Sequence, residues 1–418
     1  MYGEIITIGN ELTSGRTLDS NSYYAAGRLT ASGLQVIRIT CVGDDFKMVT
    51  RALKEALGSS RFVIVTGGLG PTDDDITNEI VAKALDRPLS LNKEMSEQLK
   101  RLSKARGLEM TPSVEKMALM PEGSKILKSR HFSCGFSLKE KDVCLYFLPG
   151  VSSQMRHLLD TSVLPDILSH YENLPLIGQR VLKTYGLGEP GITEAFKKLE
   201  GKTDEVVFGF YPHSPENHIT MSVQSNDESE ILNTLDRIEG EIRGVLGAYV
   251  FATDNDRMED IAGRILDHRH LTISVAESCT GGLIGNRLTN VPGSSGYFKG
   301  GVIVYSNEAK EDLLNVRHDT LKTQGAVSDL TAREMAMGVR ERLQTDLGLA
   351  VTGIAGPAGG TKEKPVGTVY IGLASGGQVF SGNYRFWGSR EQIKANTSTM
   401  ALDWIRRHLN EYPFLSGI

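Results

Sequence analysis

The sequence has little of what marks secreted, membrane or nucleic-acid-binding proteins. Its four cysteines show no CxxC spacing, which argues against a zinc site and against a disulfide framework. No apolar run approaches the roughly 20 residues of a membrane span. The lysines and arginines are scattered, the net charge is −5, and the first residues lack the basic-then-apolar order of a secretory signal. We therefore expect a cytoplasmic protein that binds neither membranes nor nucleic acid.

The pattern along the 418 residues predicts three domains, because so long a chain exceeds one ordinary hydrophobic core. Residues 1–168 alternate β-branched runs, glycine turns and helical spacing, which predicts a doubly wound α/β domain. Residues 169–250 predict a small α+β module. Residues 251–418 return to the strand, turn and helix alternation, so a second α/β domain is expected there.

The stretch "ISVAESCTGGLIGNRL" sets a hydroxyl and a thiol just before two glycines. The run "CTGGLIGNRLTN" has helical spacing, so Ser278 is predicted to lie where a strand turns into a helix. Ser278 is then either a helix N-cap or a nucleophile. In the second case, backbone N–H groups at the helix start are expected to hold an oxyanion or a phosphate.

Lys310 is predicted to lie in the first turn of a helix, after the apolar run "GVIVYS" and the capping pair Ser306 and Asn307. A helix dipole disfavours a cation at that position. Lys310 is therefore either solvated at the surface or has a lowered pKa that suits proton transfer. A neutral lysine within reach of Ser278 would complete a Ser-Lys hydrolytic pair.

A third stretch, "AVTGIAGPAGG", predicts a strand that ends in a glycine-rich loop. Such loops either turn the chain or hold a phosphate on backbone amides, here at Gly353 and Gly356, with Thr352 supplying a hydroxyl. Arg390, at a predicted helix start in "FWGSREQIK", pairs either with a phosphate or with solvent.

The N-terminal domain has its own glycine-rich stretch, "TGGLGPTDDDIT". Its glycines and the adjacent threonine predict a loop whose amides approach a phosphate. The aspartates that follow would hold a divalent cation on a pyrophosphate, or they are solvated at a helix start. The residues concerned are Gly67, Gly68, Gly70 and Thr72 for the nucleotide, and Asp73, Asp74 and Asp75 for the metal.

The motifs "AESCTGG", "YSNEAK", "GAVSDLTAREMA" and "AVTGIAGPAGG" together resemble the C-terminal domain of the competence/damage-inducible protein A (CinA) family. The resemblance covers about residues 252–418. It implies a nicotinamide mononucleotide deamidase that forms nicotinate mononucleotide and ammonia, with no metal required. Ser278 would be the nucleophile and Lys310 its base. Roles in proton relay, substrate positioning or substrate binding would fall to Tyr305, Thr352, Arg390, Gly281, Gly282, Gly353 and Gly356.

The first 168 residues resemble the molybdopterin-binding fold found at the N-terminus of CinA proteins, and "YGLGEPGITEAF" resembles their KH-like connecting module. The first resemblance implies metal-dependent hydrolysis of ADP-ribose. The sequence departs from that pattern at Asn10, where an aspartate is usual, and at "FSCGF". It departs again at Ser152 and Gln154, which replace a proline and a glutamate. Because lost carboxylates weaken metal binding, ADP-ribose is expected to bind more readily than it is cleaved.

Three functions compete on this basis. The first is an amidohydrolase acting on a pyridine mononucleotide, with small-molecule nucleotides as its ligands and a homodimer as its expected assembly. The second is a nucleotide-sensing binding protein whose C-terminal site is vestigial. The third, an enzyme of molybdenum-cofactor biosynthesis, leaves the C-terminal domain unexplained. The intact set of Ser278, Lys310 and Thr352 favours the first.

Overall fold

In the computed structural model of the chain, residues 2–105, 107, 109–127, 134–170 and 175–415 are described. They form two compact units, Met1–Gly178 with Gln224–Leu232, and Gln179–Val223 with Asn233–Ile418. The predicted α/β class is confirmed, while the boundaries at 168 and 250 stay predictions. Among these residues, no helix has both the length and the hydropathy of a membrane span.

The strands of the N-terminal part are β1 (Tyr2–Ile8), β2 (Gln35–Val42), β3 (Phe62–Thr66), β4 (Leu89–Leu91), β5 (Leu119–Pro121), β6 (Lys125–Ile126), β7 (Phe136–Glu140) and β8 (Val143–Leu148). Its helices are α1 (Asn10–Thr13), α2 (Ser20–Ala31), α3 (Phe46–Ser59), α4 (Thr77–Ala84), α5 (Lys93–Ala105), α6 (Pro112–Lys116), α7 (Ser152–Leu158) and α8 (Leu164–Ser169). A π-helical turn, Leu159–Val163, joins the last two.

The first unit is built on a six-stranded sheet in the order β2-β1-β3-β8-β7-β6. Strands β2, β1, β3 and β8 are parallel, and β7 and β6 add an antiparallel edge. Alternate side chains of β3 enter two cores: Phe62 and Ile64 pack with α2 and α7, whereas Val63 and Val65 pack with α3 and α4. Both faces of the sheet are therefore covered, as a doubly wound fold requires.

The rest of the chain forms strands β9 (Leu176–Thr184), β10 (Val207–His213), β11 (Glu216–Ser225), β12 (Val250–Thr253), β13 (Ile273–Glu277), β14 (Phe298–Ile303), β15 (Leu347–Gly353), β16 (Thr368–Ser375) and β17 (Gln378–Arg385). Its helices are α9 (Glu189–Phe196), α10 (Glu228–Leu246), α11 (Met258–His268), α12 (Leu283–Thr289), α13 (Asn307–Leu314), α14 (His318–Gln324), α15 (Asp329–Leu343) and α16 (Arg390–Leu409). Short 3₁₀ turns lie at Lys197–Leu199, Gly247–Tyr249 and Ser294–Gly296.

Two sheets organise this second part: a four-stranded sheet, β10-β11-β9-β12, and a five-stranded sheet, β14-β13-β15-β16-β17. In the larger sheet β14, β13 and β15 are parallel, and β16 and β17 continue it antiparallel. Apolar residues of α11, α12 and α16 cover one face, and those of α13 and α15 cover the other. The three parallel strands consequently end side by side at one edge.

Helix α15 approaches the end of α13 so closely that a glycine is required at the contact. A Cβ atom added to Gly338 would lie 2.0 Å from the carbonyl oxygen of Leu314. Gly240, also inside a helix, has nothing within 4 Å of the same position. The two glycines therefore form a matched pair with opposite expected responses to alanine.

We predict that Gly338→Ala lowers the free energy of unfolding by about 1–3 kcal/mol, because the methyl group overpacks a backbone contact. Gly240→Ala should raise it by up to about 1 kcal/mol through helix propensity alone. Urea denaturation and melting temperatures measure both variants. A Gly338→Ala protein as stable as Gly240→Ala would contradict the packing described for α15.

Candidate active site

The predicted residues of the C-terminal half meet at the carboxyl edge of the five-stranded sheet. Ser278 follows β13, Lys310 lies in α13 just beyond the end of β14, and Thr352 lies near the end of β15. Because these strands are parallel neighbours, their carboxyl ends bring the three residues to one place, where open α/β sheets bind ligands. The strand and helix positions predicted for Ser278 and Lys310 are confirmed.

Ser278 and Lys310 form a direct pair. The Nζ atom of Lys310 lies 3.3 Å from the Oγ atom of Ser278. It also donates to the carbonyl oxygens of Val304 at 2.8 Å and Ser306 at 3.4 Å. Lys310 is only 1% exposed and Ser278 8%. The surface alternative for Lys310 is therefore wrong: the lysine is buried against the hydroxyl.

The surroundings of this pair favour a neutral amine and disfavour a thiolate. Burial lowers the pKa of Lys310, while the charges of Cys279 and Glu308 act in the opposite direction. Burial also raises the pKa of the Cys279 thiol to about 12. Since the thiolate is the nucleophilic form, the buried Cys279 thiol is poorly suited to attack, and the role of Ser278 as nucleophile stays a prediction.

Sequence analysis missed Glu277, a carboxylate that holds the start of α12. Its oxygens accept hydrogen bonds from the hydroxyl of Thr280 at 2.6 Å and from three backbone N–H groups, those of Gly282 at 3.0 Å, Ile284 at 3.1 Å and Gly285 at 2.8 Å. Glu277 is 1% exposed. An acidic residue directly before a predicted helix start was the available signal, because carboxylates are favoured there.

The internal carboxylate changes what the helix start can bind. The N–H of Gly282 is bonded to Glu277, and that of Gly281 to the carbonyl oxygen of Ser278 at 3.2 Å. Neither amide is free for an anion in this structure, and substrate binding at these two glycines stays a prediction. In the described part of the chain, the N–H groups of Cys279 and Thr280 donate to no backbone carbonyl oxygen, although the Cys279 N–H interacts with its own thiol sulfur.

The loop after β15 is fixed mainly by contacts within the chain. The Thr352 hydroxyl donates to the carbonyl oxygen of Ala326 at 2.7 Å. A Cβ atom on Gly353 would lie 2.7 Å from a methyl carbon of Val369, so a side chain is excluded there. Gly356 adopts a φ of 80° and presents its carbonyl oxygen to Arg390. These residues shape the site, and their predicted roles toward a substrate stay predictions.

Arg390 begins α16 as predicted and joins two parts of the site. Its Nη1 atom donates to the Gly356 carbonyl oxygen at 2.6 Å, and its Nη2 atom to the Tyr305 hydroxyl at 3.0 Å. The side chain of Tyr305 is 64% exposed, so an aromatic ring stands at the mouth of the site. Arg390 is paired with protein groups here, rather than with solvent alone.

The predicted nucleotide loop of the first unit lines a cleft of about 440 Å³ at the carboxyl edge of its own sheet. The loop connects β3 to α4, in the predicted order of strand, turn and helix. Four carboxylates lie along the cleft: Glu11, Asp44, Asp74 and Asp75. Burial and the charges of the other three raise the pKa of Asp44. The cleft is therefore strongly acidic.

The glycines of this loop are explained by packing. A Cβ atom on Gly67 would lie 2.1 Å from the carbonyl oxygen of Ile8, and one on Gly68 would lie 2.1 Å from the hydroxyl oxygen of Thr77. A Cβ atom on Gly70 would lie 2.5 Å from a carboxylate oxygen of Asp75. Gly67 also donates its N–H to the carbonyl oxygen of Leu148. Phosphate binding at Gly67, Gly68 and Gly70 stays a prediction.

The predicted metal ligands do not form a cation site by themselves. Asp75 accepts hydrogen bonds from the N–H of Thr72 at 3.0 Å and from its hydroxyl at 2.5 Å, and Asp73 does not line the cleft. In the parts of the chain that the structure describes, no group of three or more His, Cys, Asp or Glu side chains is arranged to hold a metal ion. A divalent cation at Asp73, Asp74 and Asp75 stays a prediction.

The departures from the expected N-terminal pattern lie at the same cleft. The amide oxygen of Asn10 accepts from the N–H of Asp44 at 3.2 Å, and Asp44 accepts from the N–H of Asn10 at 2.8 Å. Gln154 lines the cleft directly, and Ser152 begins α7. Phe132 and Ser133 of "FSCGF" lie outside the described residues.

Three family models match consecutive parts of the chain. A probable molybdopterin binding domain matches residues 4–169, the damage-inducible protein CinA KH domain residues 179–252, and the CinA C-terminal domain residues 255–409. A crystal structure of the competence/damage inducible protein CihA from Agrobacterium tumefaciens is 42% identical, covers 37% of this chain and 95% of its own, and aligns with a TM-score of 0.35.

Similar proteins extend over the whole length. A putative competence-damage inducible protein of Thermoanaerobacter pseudethanolicus is 40% identical over 412 residues, covering 98% of each chain. A CinA-like protein of Geotalea uraniireducens is 40% identical over 408 residues, covering 97% of this chain and 96% of its own. Given this identity over nearly all residues, the chain belongs to the CinA, or competence-damage inducible protein, family.

Proposed function

We propose that the C-terminal half is an amidohydrolase that converts nicotinamide mononucleotide to nicotinate mononucleotide and ammonia. The observation that carries the proposal is the 3.3 Å approach of the buried Lys310 amine to the Ser278 hydroxyl. A buried serine beside a lysine of lowered pKa is the arrangement that nucleophilic amide hydrolysis needs. The substrate identity comes from the resemblance to CinA deamidases.

The hydrogen bonds of Lys310 suit a neutral base. A neutral amine has two N–H donors and one lone pair, and two neighbouring carbonyl oxygens, of Val304 and Ser306, accept from Nζ. The lone pair is then directed to the hydroxyl hydrogen of Ser278. As Oγ attacks the carboxamide carbon, this proton passes to Lys310 and a tetrahedral intermediate forms.

The same residues complete the reaction. Lys310 returns the proton to the amide nitrogen, the C–N bond breaks, ammonia leaves and an ester to Ser278 remains. Water then adds to the ester carbon, its proton passes through Lys310 to Oγ, and nicotinate mononucleotide is released. The developing oxyanion would accept hydrogen bonds from the N–H groups of Cys279 and Thr280, which donate to no backbone carbonyl oxygen in the described part of the chain.

A second function is proposed for the acidic cleft of the first unit: it binds ADP-ribose without rapid hydrolysis. A cleft of about 440 Å³ has the size of a small-molecule site. The aspartates are not arranged as a metal centre, and Asn10 and Gln154 stand where the family pattern has carboxylates. Binding without cleavage would make this half a nucleotide sensor.

Turnover is expected to depend on the hydroxyl and not on the thiol. Ser278→Ala should lower ammonia release from nicotinamide mononucleotide at least about 1000-fold, because the nucleophile is lost. Cys279→Ala should keep most of the activity, since the thiol only packs. A coupled ammonia assay on the full chain measures both variants. If the wild-type protein releases no ammonia from this substrate, the amidase proposal fails; the reverse mutant pattern would make it a cysteine amidase.

The activity should rise with pH as Lys310 loses its proton. Because the deprotonated amine is the active form and burial lowers its pKa, kcat/KM should increase through an apparent pKa below 10.5 and fall as the pH drops beneath it. Lys310→Arg, which cannot deprotonate, should be inactive across this range. Lys310→Met serves as the matched variant, because it fills the buried volume and should melt like the wild type. Substantial activity in Lys310→Arg would remove the general-base role.

ADP-ribose should bind to the wild-type protein in calorimetric titrations, with no AMP detected by chromatography after added Mg²⁺. Gly150→Leu should abolish this binding, because Gly150 lines the cleft and a Cβ atom there makes only ordinary contact with Gly67; the melting temperature checks that the fold is kept. Gly58→Leu, at the opposite edge of the sheet, is the control. Rapid metal-dependent AMP release would show that Asn10 and Gln154 are compatible with catalysis.

A further inference from the structure

One cation at the C-terminal site has no partner in the part of the chain that the structure describes. Lys394 is half-buried on α16, and its amine takes part in no hydrogen bond or ion pair. It follows Arg390 by four residues, so both side chains lie on the same side of the helix. Arg390 contacts Tyr305 and Gly356, whereas the Lys394 amine lies 3.8 Å from where a Cβ atom of Gly281 would be.

The turn after Ser278 offers a phosphate few backbone donors. Glu277 occupies three N–H groups at the start of α12, and its charge opposes a second anion there. The Gly281 N–H is bonded to the Ser278 carbonyl oxygen. The N–H groups of Cys279 and Thr280 are needed for the oxyanion of the proposed reaction. A phosphate beside this turn would therefore gain most from a side-chain cation.

Lys394 lies beside the turn that follows Ser278, and in the described part of the chain it makes no hydrogen bond with Ser278 or Lys310. Gly281 lies one hydrogen-bonded turn beyond Ser278, and the ends of such a turn are within about 7 Å of each other. In a pyridine mononucleotide the ring and the ribose separate the carboxamide from the phosphate. Gly281 has a φ of 61° and no side chain, so no Cβ atom stands between the turn and the Lys394 amine.

We propose that Lys394 binds the 5′-phosphate of the substrate and thereby selects a pyridine mononucleotide over the corresponding nucleoside. This inference rests on the proposed amidase and names the group that recognises its substrate. Lysine ammonium groups bind phosphate as point charges, and half-burial strengthens that interaction relative to open solvent. Lys394 is a binding residue and takes no part in the proton transfers of Ser278 and Lys310.

The test compares nicotinamide mononucleotide with nicotinamide riboside, which lacks the phosphate. Lys394→Gln should lower kcat/KM for the mononucleotide about 10- to 100-fold, mainly by raising KM. The kcat/KM for the riboside should stay within about twofold of the wild-type value. Lys394→Arg should keep most of the preference because it keeps the charge. Lys322→Gln, at an exposed lysine of α14, is the matched control and should leave kcat/KM for both compounds unchanged. Equal losses on both compounds, or no loss on the mononucleotide, would overturn the assignment.

Binding measured without turnover separates this inference from the amidase proposal. Both compounds are titrated calorimetrically into Ser278→Ala and into Ser278→Ala/Lys394→Gln. Tighter binding of the mononucleotide that disappears with Lys394 supports the phosphate site, even if the wild type releases no ammonia and the amidase proposal falls. A mononucleotide affinity that is unchanged in the double variant refutes it.

Discussion

The buried carboxylate of Glu277 holds the turn on which the candidate site depends. A charge removed from water is costly unless it is hydrogen-bonded. Here one hydroxyl and three backbone N–H groups surround it. Those bonds fix the path of the chain from β13 into α12, and so fix Ser278 between them. The helix N-terminus, elsewhere a ready site for external anions, is satisfied from within.

Glu277 and Lys310, two buried ionisable residues of the site, lie in opposite electrostatic surroundings. Glu277 is surrounded by donors. Lys310 is surrounded by carbonyl oxygens, and no carboxylate of the described residues lies within salt-bridge distance of it. Burial of an unpaired amine favours its neutral form, which is the form that can take a proton from serine. Because Glu277 already occupies three N–H groups at the start of α12, the phosphate of the substrate is proposed to bind the amine of Lys394 on α16.

Local patterns predicted the elements well, because strand runs, capping residues and helix starts are encoded within a few positions. Ser278 at a strand end, Lys310 in a first helical turn and Arg390 at a helix start all follow from such patterns. Hydrogen bonds between residues that are distant in sequence do not follow from local patterns. The hydrogen bond from Thr352 to Ala326 joins residues 26 positions apart. The hydrogen bond from Arg390 to Tyr305 joins residues 85 positions apart. Only the folded sheet edge shows which donors are already used, and therefore which remain for a ligand.

The same distinction applies to the glycine-rich loop of the first unit. Glycines are compatible both with phosphate binding and with close packing, and the sequence "TGGLG" is the same in either case. In the structure, Gly67 and Gly68 are required because a carbonyl oxygen and a hydroxyl lie where side chains would stand. The composition of the cleft then decides what it accepts. Its carboxylates repel a bare phosphate, so a bound nucleotide must gain its stability from the remaining backbone donors and from contacts of its base and ribose.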